Sequence, residues 1–230
     1  MAKNLDQNVV AEEVKPSSQN ENFFDKYRKA ITYVSAALVL VLGSYFAYEY
    51  AYAKPRNHEA EVAFWKAYNY FMIDSTEWAL NGKDDALGFE SIIAQYDGTP
   101  AAELSHYCAA IIYRDKGEFG AALSHFEQVN VDDQAVSVYV TGNIGDMHVE
   151  MGNLDEGVKH FEKAAAASKA NGTRDYLAGE YYLKAARVYM EQNNKDKAKE
   201  TLEKALEGAD KRAAFYGEAE KLLNMLKAQG

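Results

Sequence analysis

The chain has 230 residues, a net charge of −10, three prolines and one cysteine. Scarce proline beside abundant Ala, Leu, Glu and Lys favours an all-helical protein. A single cysteine excludes an internal disulfide framework and a thiolate zinc cage. Acidic and basic residues balance over the first 54 positions, so the whole excess of negative charge lies in residues 55–230, which disfavours binding to nucleic acid or to anionic lipid surfaces.

The N-terminal part consists of a polar tail followed by an apolar segment. Residues 1–22 are polar and unpatterned, which predicts a disordered cytoplasmic tail. Residues 23–54 are predicted to form a transmembrane anchor helix, because residues 31–48 carry no charge and would span about 27 Å of a hydrocarbon core about 30 Å thick. Aromatic residues flank the apolar run, and Lys26, Arg28 and Lys29 precede it, which places the N-terminus in the cytoplasm.

Two alternatives to the anchor remain open. The sequence Ala51-Tyr52-Ala53 satisfies the small-residue pattern of a signal-peptide cleavage site, although the preceding tail and apolar run are longer than is typical of signal peptides. Cleavage there would release the rest of the chain as a soluble protein. A buried core helix is the second alternative, but such a helix is not usually apolar on all sides behind a basic edge.

After Pro55 the pattern changes to amphipathic helices separated by short turns that contain glycine or asparagine. No alternating strand pattern is present, so we predict a series of antiparallel helical hairpins. Residues 55–102 are predicted to form a linker helix and a degenerate first helical pair. Thr99-Pro100 begins the next helix as its cap and first-turn proline.

The most informative feature is an internal repeat over residues 103–209. Residues 109–129 align without a gap with residues 144–164, and residues 185–205 form a third copy after an insertion near Asn171-Gly172. Each copy has a small residue in its first helix, a small residue in its second helix and a bulky residue four positions later. These triplets are Ala110, Ala122 and Phe126; Gly145, Gly157 and Phe161; and Ala186, Ala198 and Leu202. Small residues allow helices to approach closely, and such units stack into a solenoid.

This pattern resembles the tetratricopeptide repeat, with an aromatic residue at Tyr113 and Tyr189 but His148 in the middle copy. The tryptophan and the junction proline of that family are missing from all three copies. The resemblance implies an all-α fold, in which a single N-terminal transmembrane helix precedes a tetratricopeptide-repeat-like α-solenoid of antiparallel helix pairs. Residues 210–230 are expected to form a C-terminal capping helix.

The order of elements, together with Tyr96, Thr99 and the Gly117-Glu118 turn, resembles the YfgM-like membrane-anchored repeat proteins of Gram-negative bacteria. The resemblance implies a single-pass inner-membrane protein with periplasmic repeats. It also implies protein partners: Sec translocon subunits, a periplasmic chaperone or prolyl isomerase, and exported chains.

Catalytic chemistry is not visible in the sequence, so we expect no enzyme, no cofactor and no small-molecule substrate. The five histidines lack the spacing of metal ligands, and His125 and His160 occupy the same repeat position. Cys108 lies in an alanine-rich helix, where a core role is the expected one. An enzyme would need a site shared with another chain.

The resemblance to tetratricopeptide repeats implies that the first helix of each pair lines a protein-binding groove. The candidate residues are Leu104, Tyr107, Ile111, Arg114, Tyr139, Asp146, Glu150, Leu183, Arg187 and Met190, with Asp115, Gly142, Val149, Glu180 and Glu191 on the same face. Some of these side chains could instead pack between repeats.

Two functional hypotheses follow. The first is a membrane-anchored periplasmic scaffold that binds protein partners at the translocon and contacts lipid only through residues 31–48. The second is a structural adaptor in envelope assembly or division that self-associates through its terminal helix.

Overall fold

The computed structural model describes residues 18–131, 133–170 and 175–229, and within these ranges every regular element is helical. The elements, in chain order, are α1 (Ser18–Tyr48), a π-helical turn (Glu49–Ala53), α2 (Lys54–Met72), α3 (Thr76–Asn81), α4 (Phe89–Gln95), α5 (Pro100–Asp115), α6 (Phe119–Gln128), α7 (Gln134–Glu150), α8 (Leu154–Ala170), α9 (Asp175–Glu191), α10 (Lys195–Leu206) and α11 (Tyr216–Ala228). The chain divides into two compact units, Met1–Pro55 and Arg56–Gly230.

The first unit contains the helix that the apolar run predicts. By length and composition, the helical stretch from Lys26 contains the one segment among the described residues that is apolar enough to cross a membrane, and that segment is not buried in the structure. Full exposure is unlike a soluble core helix, whereas an anchor and a signal sequence both meet the same criterion. Helix α1 begins at Ser18, so residues 18–22 form its first turn rather than the end of the tail. The rest of the predicted tail, residues 1–17, lies outside the described residues.

Residues 55–102, predicted to hold a linker helix and a degenerate helical pair, contain the helices α2, α3 and α4 and the start of α5. Helix α2 is long and continuous, whereas α3 and α4 are short. Between them the backbone of Lys83 bonds in both directions with that of Ala86. Gly82 has a φ of 86°, and a Cβ there would lie 2.4 Å from the carbonyl oxygen of Ala86, so this tight loop requires glycine. The rings of Phe64 on α2 and Phe89 on α4 lie 5.9 Å apart in the core that joins these helices.

The three predicted repeats are the hairpins α5–α6, α7–α8 and α9–α10, and each hairpin packs against the next one. We call α5, α7 and α9 the A helices and α6, α8 and α10 the B helices. Thr99 caps α5 as predicted: its hydroxyl accepts a hydrogen bond from the backbone N–H of Ala102 at 3.2 Å, and Pro100 is the first helical residue. Helix α8 has 17 residues against ten in α6, so the extra turns predicted between the second and third copies extend α8. Asn171 and Gly172 lie outside the described residues.

Close helix approach in each hairpin depends on the small residues identified from the repeat. In the middle copy, a Cβ on Gly145 would lie 2.8 Å from the ring of Phe161 and 3.2 Å from the carbonyl oxygen of Gly157. The corresponding residues of the other two hairpins, Ala110, Ala122, Ala186 and Ala198, have no exposed surface. The bulky residues that follow are buried as well. A and B helices therefore touch nearly backbone to backbone, beside a large apolar side chain.

The solenoid ends at α11, which packs against α10. Its apolar face is buried through Ala219, Leu223 and Leu226, in one core cluster with α7 to α10. The helix begins at Tyr216, so residues 210–215 belong to the connecting segment before it rather than to its first turns. Phe215 lies in that segment and is buried against Gly179, where a Cβ would lie 2.1 Å from its ring.

Two identical substitutions should have opposite effects on stability. Gly120→Ala in α6 places a methyl group in open space, so it should raise the free energy of unfolding by about 0.5–1 kcal/mol. Gly145→Ala in α7 should lower it, because overpacking against the buried Phe161 ring costs about 1–3 kcal/mol and outweighs the helix-propensity gain. Urea unfolding of the full chain, followed by circular dichroism, measures both. Equal stabilisation by the two variants would show that the hairpin does not depend on this close contact.

Candidate protein-binding face

The A-helix face, the surface formed by α5, α7 and α9, carries all ten predicted groove residues. Leu104, Glu150 and Arg187 are exposed, and Leu183 is buried. The remaining six are partly buried, namely Tyr107, Ile111, Arg114, Tyr139, Asp146 and Met190. This face therefore offers both charged groups and the edges of apolar and aromatic side chains.

Polar contacts join each A helix to the next along this face. Arg114 on α5 donates from Nη1 to Oδ1 of Asn143 on α7 at 3.0 Å, and the amide of Asn143 donates to the backbone oxygen of Tyr139 at 2.9 Å. Nζ of Lys184 on α9 lies 2.9 and 2.7 Å from the two carboxylate oxygens of Asp146 on α7. The register between successive A helices is thus set by charged and amide groups as well as by core packing.

The third contact of this series lies at the C-terminal end. Arg187 on α9 donates from Nε to Oε1 of Glu218 on α11 at 3.1 Å, and its Nη2 contacts the same oxygen. About half of each of these side chains is exposed, so the pair contributes little to stability on its own. Its effect is to hold two opposite charges at a defined position on the surface.

Three tyrosines lie near one another on the A-helix face, one on each A helix. Tyr107 packs edge-on against Phe126, with ring centroids 6.0 Å apart. Tyr181 occupies the space beside Gly142, where a Cβ would lie 2.1 Å from its ring. Burial is the main cause that raises the pKa of both tyrosines, and the neighbouring Tyr139 adds to it. Both phenols therefore stay neutral; Tyr107 is partly exposed at this face, whereas Tyr181 is buried and belongs to the core.

A cavity of about 820 Å³ opens between α9 and α11. It contains the predicted residues Leu183 and Arg187, and its remaining lining residues are Glu180, Lys184, Asp210, Arg212, Ala213, Ala214, Phe215 and Glu218. The lining contains both acidic and basic side chains together with apolar residues that include Phe215. Arg212 and Asp210 form a bidentate pair at 2.7–3.2 Å on its rim. The cavity can accept a side chain or a short peptide segment of mixed character.

Several cavity residues lie outside the repeat pattern and were not predicted from the sequence. Asp210, Arg212 and Phe215 belong to the connecting segment before α11, and no repeat position marks them. Lys184 could have been predicted from the repeat. It stands 41 residues after Asn143, which is the offset between the second and third copies. Both side chains contact the preceding A helix.

Cys108 on α5 is buried in the core that α5 shares with α2 and α4. Burial raises the pKa of the Cys108 thiol to about 12, which leaves it protonated and unreactive. Among the described residues, no group of three or more His, Cys, Asp or Glu side chains is arranged to hold a metal ion.

Two histidine pairs, which sequence spacing did not reveal, join the helices of the first two hairpins. In the first hairpin, Nδ1 of His106 and Nδ1 of His125 lie 3.0 Å apart. Nε2 of His125 faces Glu90 at 3.3 Å, and Tyr113 donates its hydroxyl proton to the same carboxylate at 2.7 Å. With Nε2–H directed at Glu90, Nδ1 of His125 accepts from His106. Burial, followed by the proximity of His125, lowers the pKa of His106.

The second hairpin contains a pair with fewer polar contacts. The rings of His148 and His160 stack at 5.3 Å, and Nδ1 of each ring is buried without a hydrogen-bond partner among the described residues. Burial, followed by the proximity of His148 and Lys163, lowers the pKa of His160, while Glu156 and Glu127 oppose this change. Protonation here would place charge on a buried group that has no acceptor.

Comparisons with known proteins show a tandem helical-repeat fold. Residues 135–211, which include the second and third hairpins, match the tetratricopeptide repeat family. A crystal structure of a kinesin light chain with nearly identical tetratricopeptide-like repeats, from Podosopora anserina, is 16% identical with a TM-score of 0.53, and the match covers 75% of this chain and 94% of that chain. No curated protein sequence matches the chain. The two matches support a tetratricopeptide-repeat protein, and the first hairpin lies outside the family match.

The histidine pairs predict that acid weakens the second hairpin. Because the folded state lowers the pKa of His106 and His160 below 6.5, their contribution to stability is present above pH 6.5 and is lost as the pH falls below it. We expect hydrogen exchange, corrected for intrinsic rates, to show that α7 and α8 lose protection between about pH 7 and 5. The third hairpin, which has Tyr189 and Thr201 at the equivalent positions, serves as the internal reference.

The variant His148→Tyr tests the cause of this pH dependence. It restores the tyrosine of the other two copies, whose hydroxyl could donate to Glu127 as that of Tyr189 donates to Glu162 at 3.2 Å. We expect the variant to retain protection of α7 and α8 at low pH. If the wild-type chain and the variant lost protection in parallel, the stacked histidines would not be responsible.

Proposed function

We propose that this protein is a non-enzymatic, membrane-anchored scaffold whose repeats bind protein partners in the periplasm. The observation that carries this proposal is the A-helix face of a tetratricopeptide-repeat solenoid, which ends in a cavity of about 820 Å³ lined by both charges and by Phe215. Tetratricopeptide repeats in general bind proteins, and the mixed lining of the cavity suits a polypeptide rather than a single small molecule.

The expected ligand is an extended or helical segment with apolar and charged side chains. Ala213 and Ala214 supply the accessible apolar surface beside the buried Leu183 and Phe215, and Arg187 and Glu218 supply one donor group and one acceptor group. The charges chiefly favour correct partners and speed their association, while the apolar surface covered on binding supplies most of the binding free energy.

The anchor would contribute through effective concentration. A helix that is apolar enough to cross a membrane precedes the solenoid in the same chain, so it would hold the A-helix face close to the bilayer surface. Tethering raises the local concentration of a binding site into the millimolar range, so that weak contacts suffice for transient partners. Chains that leave a translocation channel are partners of this kind.

We propose the Sec translocon, together with a periplasmic chaperone or prolyl isomerase, as the site of action. The support is the resemblance of the tail, anchor, linker and repeats to the YfgM-like proteins, together with the basic residues Lys26, Arg28 and Lys29 before the apolar segment. The alternative, a structural adaptor in envelope assembly or division, would bind different partners through the same face.

Site-specific photo-crosslinking tests the partner class. A photoreactive residue in place of Ala214, which is exposed and lines the cavity, should crosslink partner proteins in living cells. The matched control is Lys195, an exposed residue at the start of the B helix α10, where crosslinks should be weak or absent. Translocon or chaperone components would support the first function, whereas envelope-assembly or division proteins would favour the adaptor. Equal crosslinking from both positions would contradict binding at the cavity.

Protease treatment of spheroplasts tests the topology. If the repeats are periplasmic and anchored, added protease should degrade residues 57–230 and leave a membrane-bound fragment that contains the anchor. In the control, the protease cannot reach the periplasmic face of the inner membrane, and the full-length chain should be recovered intact. Protection of the repeats in spheroplasts would reverse the orientation, and release of the intact repeats without protease would indicate cleavage at Ala51-Tyr52-Ala53.

A further inference from the structure

Helix α2 exposes an unusual amount of apolar surface for a helix in a folded unit. Val62 is 47% exposed, Trp65 52% and Met72 63%, and the exposed Ile73 follows the end of the helix. Over the other described residues of the unit Arg56–Gly230, the exposed large apolar side chains are Trp78, Leu104, Met151 and Met225, which lie far apart in sequence. Contiguous apolar exposure of this kind marks an interaction surface.

Three of these side chains, Val62, Trp65 and Met72, fall on a heptad pattern that the polar residues His58 and Asn69 complete. His58, Val62, Trp65, Asn69 and Met72 are spaced alternately by four and three residues, and all five are exposed. We call this set the α2 seam. The residues of α2 that pack into the core, Ala60, Phe64 and Ala67, lie on the other side of the same helix. Helix α2 thus has two apolar faces, of which intramolecular packing uses one.

We propose that the α2 seam is a self-association surface, on which the α2 seam of a second copy packs in a parallel coiled coil. In a parallel pair the seam places Val62 and Asn69 at the positions called a, and His58, Trp65 and Met72 at the positions called d. A β-branched residue at a is the choice that favours two-stranded coils, and a single asparagine at a fixes register and strand number.

The charges beside the seam are complementary for a parallel pair. Glu61 flanks one side of the seam and Lys66 flanks the other, five residues later. This is the spacing at which a residue on one helix meets an oppositely charged residue of a parallel partner helix. Lys66 also lies 3.6 Å from Asp85 in its own chain, but both of those side chains are more than half exposed, so that pair holds Lys66 only weakly.

The seam is short, so an isolated pair of these helices would be marginally stable. Anchoring would favour the pair, because two chains inserted in one bilayer are confined to the same surface and point in the same direction. Parallel packing therefore rests on the membrane anchoring proposed above. The terminal helix α11 is a poorer surface for self-association, because its apolar side chains Ala219, Leu223 and Leu226 are already buried in the solenoid.

Disulfide crosslinking of the full-length chain in its membrane tests this proposal. The starting variant is Cys108→Ala, which removes the one native thiol from a buried site. Added to it separately, Val62→Cys and Asn69→Cys should each give a covalent dimer on mild oxidation, because a parallel coil places identical a positions side by side. The matched control is Asn57→Cys, an exposed position on α2 outside the seam, which should remain monomeric.

A second variant separates specific pairing from random collision. Val62→Glu, combined with Asn69→Cys, places like charges at the centre of the seam and should abolish the dimer. Dimers of equal yield from Asn57→Cys and Asn69→Cys, or no dimer from either seam position, would overturn the proposal, as would crosslinking of the seam only to a different protein. Capture of partners from Ala214 is measured separately, so failure of self-association and failure of the proposed function remain distinguishable.

Discussion

The close approach of helix A to helix B within each hairpin is the contact on which the rest of the soluble unit depends. Gly145 faces Gly157 in the middle hairpin, and alanines stand at both positions in the other two. A larger side chain at these positions would separate the two helices and withdraw the bulky residue, such as Phe161, from the core. Because each hairpin buries its remaining apolar surface only against its neighbours, this local contact also determines how the copies stack.

Stacking in turn brings together side chains that are far apart in sequence. The A helices follow one another at a fixed register, and their polar contacts, such as the one between Asp146 and Lys184, run along a single face. The B helices carry the second residue of each histidine pair, and the first residue lies on an A helix. The same hairpin geometry thus produces both the A-helix face and the histidine contacts within the first two hairpins.

The repeat could be predicted because its signal is local and periodic. The cap and first-turn proline at Thr99-Pro100, the three hairpins and the longer α8 all follow from residues within one or two helical turns of each other. The tight loop between the short helices α3 and α4 could not be predicted in this way. It requires Gly82 to fit against the backbone of Ala86. Part of the cavity could not be predicted either, because residues such as Asp210 and Phe215 come from a segment without repeat periodicity.

The sequence by itself determined the helical class, the hairpin order and the candidate membrane segment, because composition, spacing and turn residues act over short distances. Only the tertiary structure decided which side chains meet. It paired His148 with His160, joined Arg187 to Glu218 beside the cavity, and left the α2 seam exposed while burying the other face of the same helix. The reason is physical: periodicity states which side of a helix is apolar, whereas the partner for that side depends on how distant helices pack.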